Sequence, residues 1–167
     1  MTDATTPAGV TGDHTTRGTP AGYTSLTPFL VVEDPEGALG FYRDVFGAEV
    51  LDVTRMGDVV VHAELDLGDG RLQLGAPGDA YALVPPPAGD AACYSLGLYR
   101  PEVDGIVERA VAAGAVVREA PTTFVSGDRF ASIRDPFGVR WTVMSRVEDL
   151  SPAASAARVA AWAAEQG

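Results

Sequence analysis

Two side chains hold much of the chemistry that this sequence offers. His62 and Glu64, within residues 59–67 (VVVHAELDL), stand two apart. A period of two puts both on one face of a strand. Such a pair suits proton transfer or, with a third donor, a metal ion. The plainer reading is a polar wall that hydrogen-bonds a ligand or nearby Gln73, because two donors from one strand enclose a cation poorly. The other histidine, His14, lies in a segment rich in Thr, Gly and Pro. Cys93 is the single cysteine, which excludes a disulfide framework and a Cys-only zinc site. It is expected as a small apolar filler. All twelve basic residues are Arg, so Schiff-base and P-loop lysine chemistry are excluded. Ser126 and Ser132 have no evident His–carboxylate partners, and no Gly-rich phosphate loop is present. The pairs Asp128-Arg129 and Arg134-Asp135 invite an ion-pair or anion-site reading, but the plainer one is a loop held by a Pro-Gly turn and exposed charge pairs, which contribute little.

The surrounding chain must position these groups. It has 167 residues, 46% hydrophobic and 21% charged, enough for a core without staples. The net charge is −11 with scattered Arg, which gives no footprint for nucleic acid or an anionic membrane. No apolar run approaches the ~20 residues of a membrane span, and the N-terminus lacks the apolar core of a signal peptide. A cytoplasmic location is the expectation. Residues 1–24 are expected as a disordered tail.

Order is expected from residue 25. Residues 26–33 read as a strand, Asp34-Pro35 as a helix start, and Gly47 as its stop. Ala38, Leu39, Phe41, Tyr42, Val45 and Phe46 recur at helical spacing between them. Residues 48–54, 59–67 and 71–75 read as strands, the last two joined by a hairpin at Asp69-Gly70. Residues 77–90, with three consecutive prolines, read as a loop. The pattern then restarts: strand 94–99, helix 103–113, strand 115–118, and a hairpin of 130–134 with 140–145. This gives two βαβββ modules, 25–77 and 93–147, within a domain of residues 25–150. Residues 151–167 read as a final helix, in which Ala156, Ala160 and Ala163 can line one face and Trp162 is the only large anchor for packing on the domain or on a second subunit.

Parity assigns the strand faces. Leu30, Val32, Val61, Ala63, Leu65, Leu72, Leu74, Ile133, Trp141 and Val143 fall on an apolar side for the helices to cover. Thr27, Phe29, His62, Glu64, Gln73, Gly97, Tyr99, Thr142 and Met144 fall on a mixed side. Phe29, Tyr99 and Met144 are poor choices for open solvent, and His62, Glu64 and Gln73 are costly in a core. A concave ligand pocket satisfies both constraints. These nine residues are the expected ligand-binding set, with His62 and Glu64 as the catalytic candidates.

The two modules, the Asp34-Pro35…Phe41-Tyr42…Phe46-Gly47-Ala48 run, His62-Ala63-Glu64-Leu65, and Asp128-Arg129…Arg134-Asp135-Pro136-Phe137-Gly138 resemble the vicinal oxygen chelate superfamily. The likeness is to its glyoxalase/bleomycin-resistance, PhnB-like branch, over roughly residues 25–150. The resemblance implies an α+β fold in which two βαβββ modules form a curved mixed sheet around a pocket, with a C-terminal helix added. It also implies a homodimer. The metal enzymes of the family carry ligands at four positions that correspond here to Thr27, Gln73, Gly97 and Thr142. None is His or carboxylate, so no metal and no cofactor is expected. Sequestration of a small organic molecule, as in antibiotic-resistance binding proteins, is the expected function. The alternative is a lyase- or dioxygenase-type enzyme with an atypical metal site at His62, Glu64 and Gln73, or metal-free acid/base chemistry. A third possibility is a structural partner with an unused pocket.

Overall fold

The computed structural model describes residues 8–167. The chain divides into two compact units, the first ending at Leu83 and the second beginning at Val84.

The first unit opens with a short hairpin, β1 (Thr15–Thr16) and β2 (Thr19–Pro20). Residues 8–24 therefore correct the expectation of a disordered tail, whereas residues 1–7 lie outside the described residues. Arg17 and Gly18 both take positive φ (50° and 81°), which matches the twist of a two-residue hairpin turn. Composition alone misses so short a device.

The main sheet of this unit contains β3 (Phe29–Val31), β4 (Glu49–Met56), β5 (Val59–Asp66) and β6 (Arg71–Gly75) in the order β3-β6-β5-β4. β3 and β6 are parallel, and the other neighbours are antiparallel. A parallel pair needs a crossover, and α1 (Pro35–Phe46) begins it. Asp34 caps α1 by accepting from Gly37 N–H at 2.9 Å, Pro35 takes its first turn, and Gly47 ends it. Its Ala38, Leu39, Tyr42, Val45 and Phe46 are buried, as are Leu30, Val32, Ala63, Leu65, Leu72 and Leu74 of the sheet segment.

Two register details differ from the sequence reading. The hairpin between β5 and β6 turns on Gly68-Asp69, because Leu67 N–H donates to the Gly70 carbonyl at 2.9 Å. Gly68 takes φ 96°, the conformation that glycine supplies at the first place of such a loop. Asp66 reinforces the turn by accepting from Gly68 N–H at 2.7 Å. Glu64 consequently pairs with Gln73, and Asp66 with Arg71. The slip is two residues, so every side chain keeps its face. The second difference is a register shift that skips Val61: Thr54 pairs with His62, but Arg55 pairs with Val60. Beyond this bulge the parity inverts, so Val60 is buried where Val61 was expected. Leu26 also lies outside the strand and is exposed.

The second unit repeats the topology. β7 (Leu96–Tyr99), α2 (Val103–Ala112), β8 (Val116–Thr123), β9 (Asp128–Arg134) and β10 (Arg140–Arg146) follow in sequence. The strand order is β7-β10-β9-β8, again with one parallel pair. Trp141 is 2% exposed and fully in the core. Its indole N–H donates to Asp135 Oδ2 at 2.9 Å, while Oδ1 accepts from the N–H groups of Phe137 and Val139. Asp135 is thus a buried organiser of the β9–β10 turn, not the exposed ion-pair member expected from sequence. Cys93 is exposed rather than a core filler.

The final helix, α3 (Pro152–Gln166), is capped by Ser151, whose Oγ accepts from Ala154 N–H at 3.2 Å. It attaches through Ser155, which donates to the Ser126 carbonyl at 2.8 Å, and through Trp162, edge-on to Phe124 at 5.0 Å. Its attached face therefore runs through 155, 159 and 162, so Trp162 is the anchor expected from the sequence, whereas Ala156, Ala160 and Ala163 are exposed. Hydroxyl bonding and one aromatic contact outweigh the alanine stripe. No helix among the described residues is long and apolar enough to cross a membrane.

Gly75 tests the packing around the Val61 bulge. A Cβ there would press into the Val61 carbonyl and lie 3.1 Å from Phe29 Cζ. Gly75→Ala is expected to lower stability by about 1–3 kcal/mol, read from urea unfolding. Unchanged stability would contradict the close approach.

Candidate functional site

The parallel pairing of β3 with β6 and the corrected hairpin register create one row across the first sheet. Phe29 faces Gln73, Gln73 faces Glu64, and Glu64 faces Asp52. Gln73 Nε2 donates to Glu64 Oε1 at 2.9 Å. The other carboxylate oxygen, Oε2, accepts from the Tyr23 hydroxyl. His62 lies one step along the same face, with its ring 6.0 Å from that of Phe29. The four side chains Phe29, His62, Glu64 and Gln73 are all incompletely buried.

Tyr23 is the site residue that the sequence reading missed. It follows the N-terminal hairpin, and Arg71 of β6 holds it there. Arg71 Nε donates to the Gly22 carbonyl at 3.0 Å, and its guanidinium carbon lies 5.3 Å from the Tyr23 ring centroid. Arg71 also pairs with Asp66 at 3.5 Å. The one available sequence signal was an aromatic residue just ahead of the first strand, too weak to separate from tail composition.

These contacts set the protonation of Glu64. The Tyr23 hydroxyl bond is the main influence holding its carboxyl below the ordinary Glu range. The Gln73 amide, His62 and Arg71 act in the same direction, against desolvation. Conversely, the Tyr23 hydroxyl is pushed up, first by its bond to Glu64 and then by desolvation. The result is an ionised acceptor at neutral pH with one donor on each oxygen. A carboxylate has about four lone-pair sites, so capacity remains for a further donor.

The second unit has the corresponding row: Gly97 faces Thr142, Thr142 faces Ser132, and Ser132 faces Glu119. The register makes Gly97 the counterpart of Phe29. Thr27 lies ahead of β3 and corresponds instead to Ser95, whose Oγ is 3.1 Å from Thr142 Oγ1. A Cβ at Gly97 would lie 2.9 Å from Met144 Cε, so the methionine methyl fills the space of a side chain there. Tyr99 ends β7 paired with Met144 and is 57% exposed. Of the other aromatic residues in this unit, Trp141 belongs to the core, and Phe124 packs on Phe130 and Trp162.

The metal positions implied by the family resemblance offer a poor donor set. In the first unit they supply a Thr hydroxyl and an amide whose Nε2 is directed at Glu64. In the second they supply a glycine covered by Met144 and a Thr hydroxyl near Ser95. Among the described residues, no group of three or more His, Cys, Asp or Glu side chains is arranged to hold an ion. The residues present do not fit the family's cation.

The model of the Glyoxalase/Bleomycin resistance protein/Dioxygenase superfamily matches residues 13–143. The chain belongs to this superfamily. Among curated proteins it is similar to uncharacterized protein Mb0911c of Mycobacterium bovis, 29% identical over 132 residues, covering 76% of this chain and 86% of that protein. Uncharacterized protein Rv0887c of Mycobacterium tuberculosis is also 29% identical, over 76% of this chain and 77% of its own. Among solved structures it is similar to TioX from Micromonospora sp. ML1, with TM-score 0.60 and 26% identity over 74% of this chain and 98% of that one. It is similar as well to lactoylglutathione lyase from Agrobacterium tumefaciens, with TM-score 0.52 and 25% identity over 73% and 92% of the two chains. The fold is the α+β fold of the superfamily, with two four-stranded mixed sheets and the added C-terminal helix. Membership establishes architecture, whereas activity has to be argued from the site.

The depressed Glu64 pKa has a signed consequence. Its contribution to stability is fully present above the unfolded Glu value of about 4.3 and is lost as pH falls through the folded value. Tyr23→Phe is therefore expected to destabilise at neutral pH, with the gap to wild type closing under acid as Glu64 protonates. Urea midpoints at neutral pH and at the lowest pH where both proteins fold check this. A gap that does not change with pH would contradict the Tyr23–Glu64 bond.

Proposed function

We propose that the chain binds a small organic molecule on the mixed face of its first sheet without using a catalytic cation. The observation that carries this reading is the ionised Glu64, held between Gln73 and Tyr23 and flanked by the Phe29 and His62 rings. A carboxylate with spare acceptor capacity suits a cationic or N–H-bearing group, and the adjacent rings suit an aromatic or apolar body. Sequestration, as in resistance-type binding proteins, requires nothing more. The PhnB-like branch and a homodimer come with the family resemblance, and the binding reading depends on neither.

Similarity to a lactoylglutathione lyase favours a second reading, an enzyme that uses His62 and Glu64 for proton transfer or, with Gln73, an atypical metal ion. One experiment separates the two. Purified protein, grown with transition-metal supplement, is assayed for metal and then melted against a panel of cationic, aromatic compounds. A ligand at about a hundredfold its Kd adds about 2.7 kcal/mol of stability. The binding reading predicts such a shift in the wild type, its loss in Glu64→Gln, and less than about a tenth of an equivalent of metal. Near-stoichiometric metal that His62→Ala removes would overturn it in favour of the enzyme.

A further inference from the structure

The second sheet carries a concentration of charge that the Glu64 site does not use. Arg134 of β9 and Arg140 of β10 are direct cross-strand partners. Like charges placed opposite each other destabilise a sheet. Arg118 stands beside them on β8, where the register shift between Val117 and Glu119 leaves it without a ladder partner. All three reach one residue, Asp90. Arg118 Nη2 is 2.8 Å from Asp90 Oδ2, Arg134 Nη1 is 4.0 Å from Oδ1, and Arg140 Nη2 donates to the Asp90 carbonyl at 3.4 Å. Arg140 Nη1 also donates to Ser132 Oγ at 3.2 Å.

Two guanidiniums thus face the Asp90 carboxylate and a third its backbone carbonyl, a local excess of positive charge in a chain whose net charge is −11. The Arg118 and Arg134 side chains are only 25% and 23% exposed, and the Nε atoms of Arg134 and Arg140 are buried with no acceptor. Glu119, across from Ser132, makes no ion pair with them. Partly buried cations short of acceptors are costly unless something else supplies them. Asp90 satisfies the cluster poorly. Its side chain is 67% exposed on the loop that follows three consecutive prolines, and it makes one close contact and one long one. A planar carboxylate offers two oxygens, whereas three forks from three strands suit a tetrahedral group with at least three.

We propose that Arg118, Arg134 and Arg140 form a binding site for a phosphoryl dianion, of the kind a phosphate monoester presents, with the Asp90 side chain as its displaceable internal occupant. The site lies wholly in the second unit and stands independently of the Glu64 row. The probe is inorganic phosphate, titrated calorimetrically into the full chain at constant ionic strength, with succinate and sodium chloride as controls. Saturable phosphate binding is expected. It weakens roughly tenfold or more in Arg140→Gln and in Arg118→Gln, as loss of a charge-assisted bond implies. It tightens in Asp90→Asn, where the competing carboxylate is gone. Glu64→Gln leaves it unchanged, so its failure is distinguishable from failure of the binding reading above. Arg118, on an irregular strand segment, serves as the variant that keeps its fold if Arg140→Gln does not. No binding beyond the chloride control, phosphate affinity indifferent to Arg118→Gln, or succinate binding as tight as phosphate would each overturn the proposal.

Discussion

The pairing of Glu64 with Gln73 is the contact on which the first unit's chemistry depends. It exists because the β5–β6 hairpin turns at Gly68-Asp69, which sets the two residues opposite each other and within hydrogen-bond reach. A register shifted by two would leave both on the same face but would separate amide from carboxylate. The neighbouring aromatic contact has a similar origin. Phe29 reaches His62 because β3 joins the sheet parallel to β6, an arrangement permitted by the α1 crossover.

The two units use one topology for different chemistry. The first places aromatic, amide and carboxylate in one row, whereas the second places glycine, hydroxyl, hydroxyl and carboxylate at the same register. Its charge lies further along the strands, at Arg134 and Arg140. The apolar faces are much more alike: Leu30, Leu65 and Leu74 in one unit and Leu98, Ile133 and Val143 in the other are all buried. A fold tolerates exchange on the uncovered face far better than under its helices, which is why one architecture hosts many functions.

Much of this was legible in the sequence. Helix ends were, because Asp34-Pro35, Gly47 and Ser151-Pro152 act through local geometry. Strand faces were, because alternation of period two survives a slip of two. Where the reading failed, non-local contacts decide. Val60 replaces Val61 in the core because of a bulge with no compositional mark. Asp135 is buried because a turn, an indole and two backbone N–H groups all need one acceptor. Tyr23 joins the site because a cross-strand arginine, forty-eight residues later in the chain, holds the segment before it.

The account is tested most directly by the protonation of one side chain. Carbon-13 NMR of the Glu64 carboxyl, assigned by comparison with Glu64→Gln and followed across pH, reports it without any ligand. A midpoint below the ordinary Glu value of about 4.3, rising in Tyr23→Phe, is the predicted result. A midpoint at or above that value, unmoved by loss of the Tyr23 hydroxyl, would contradict it.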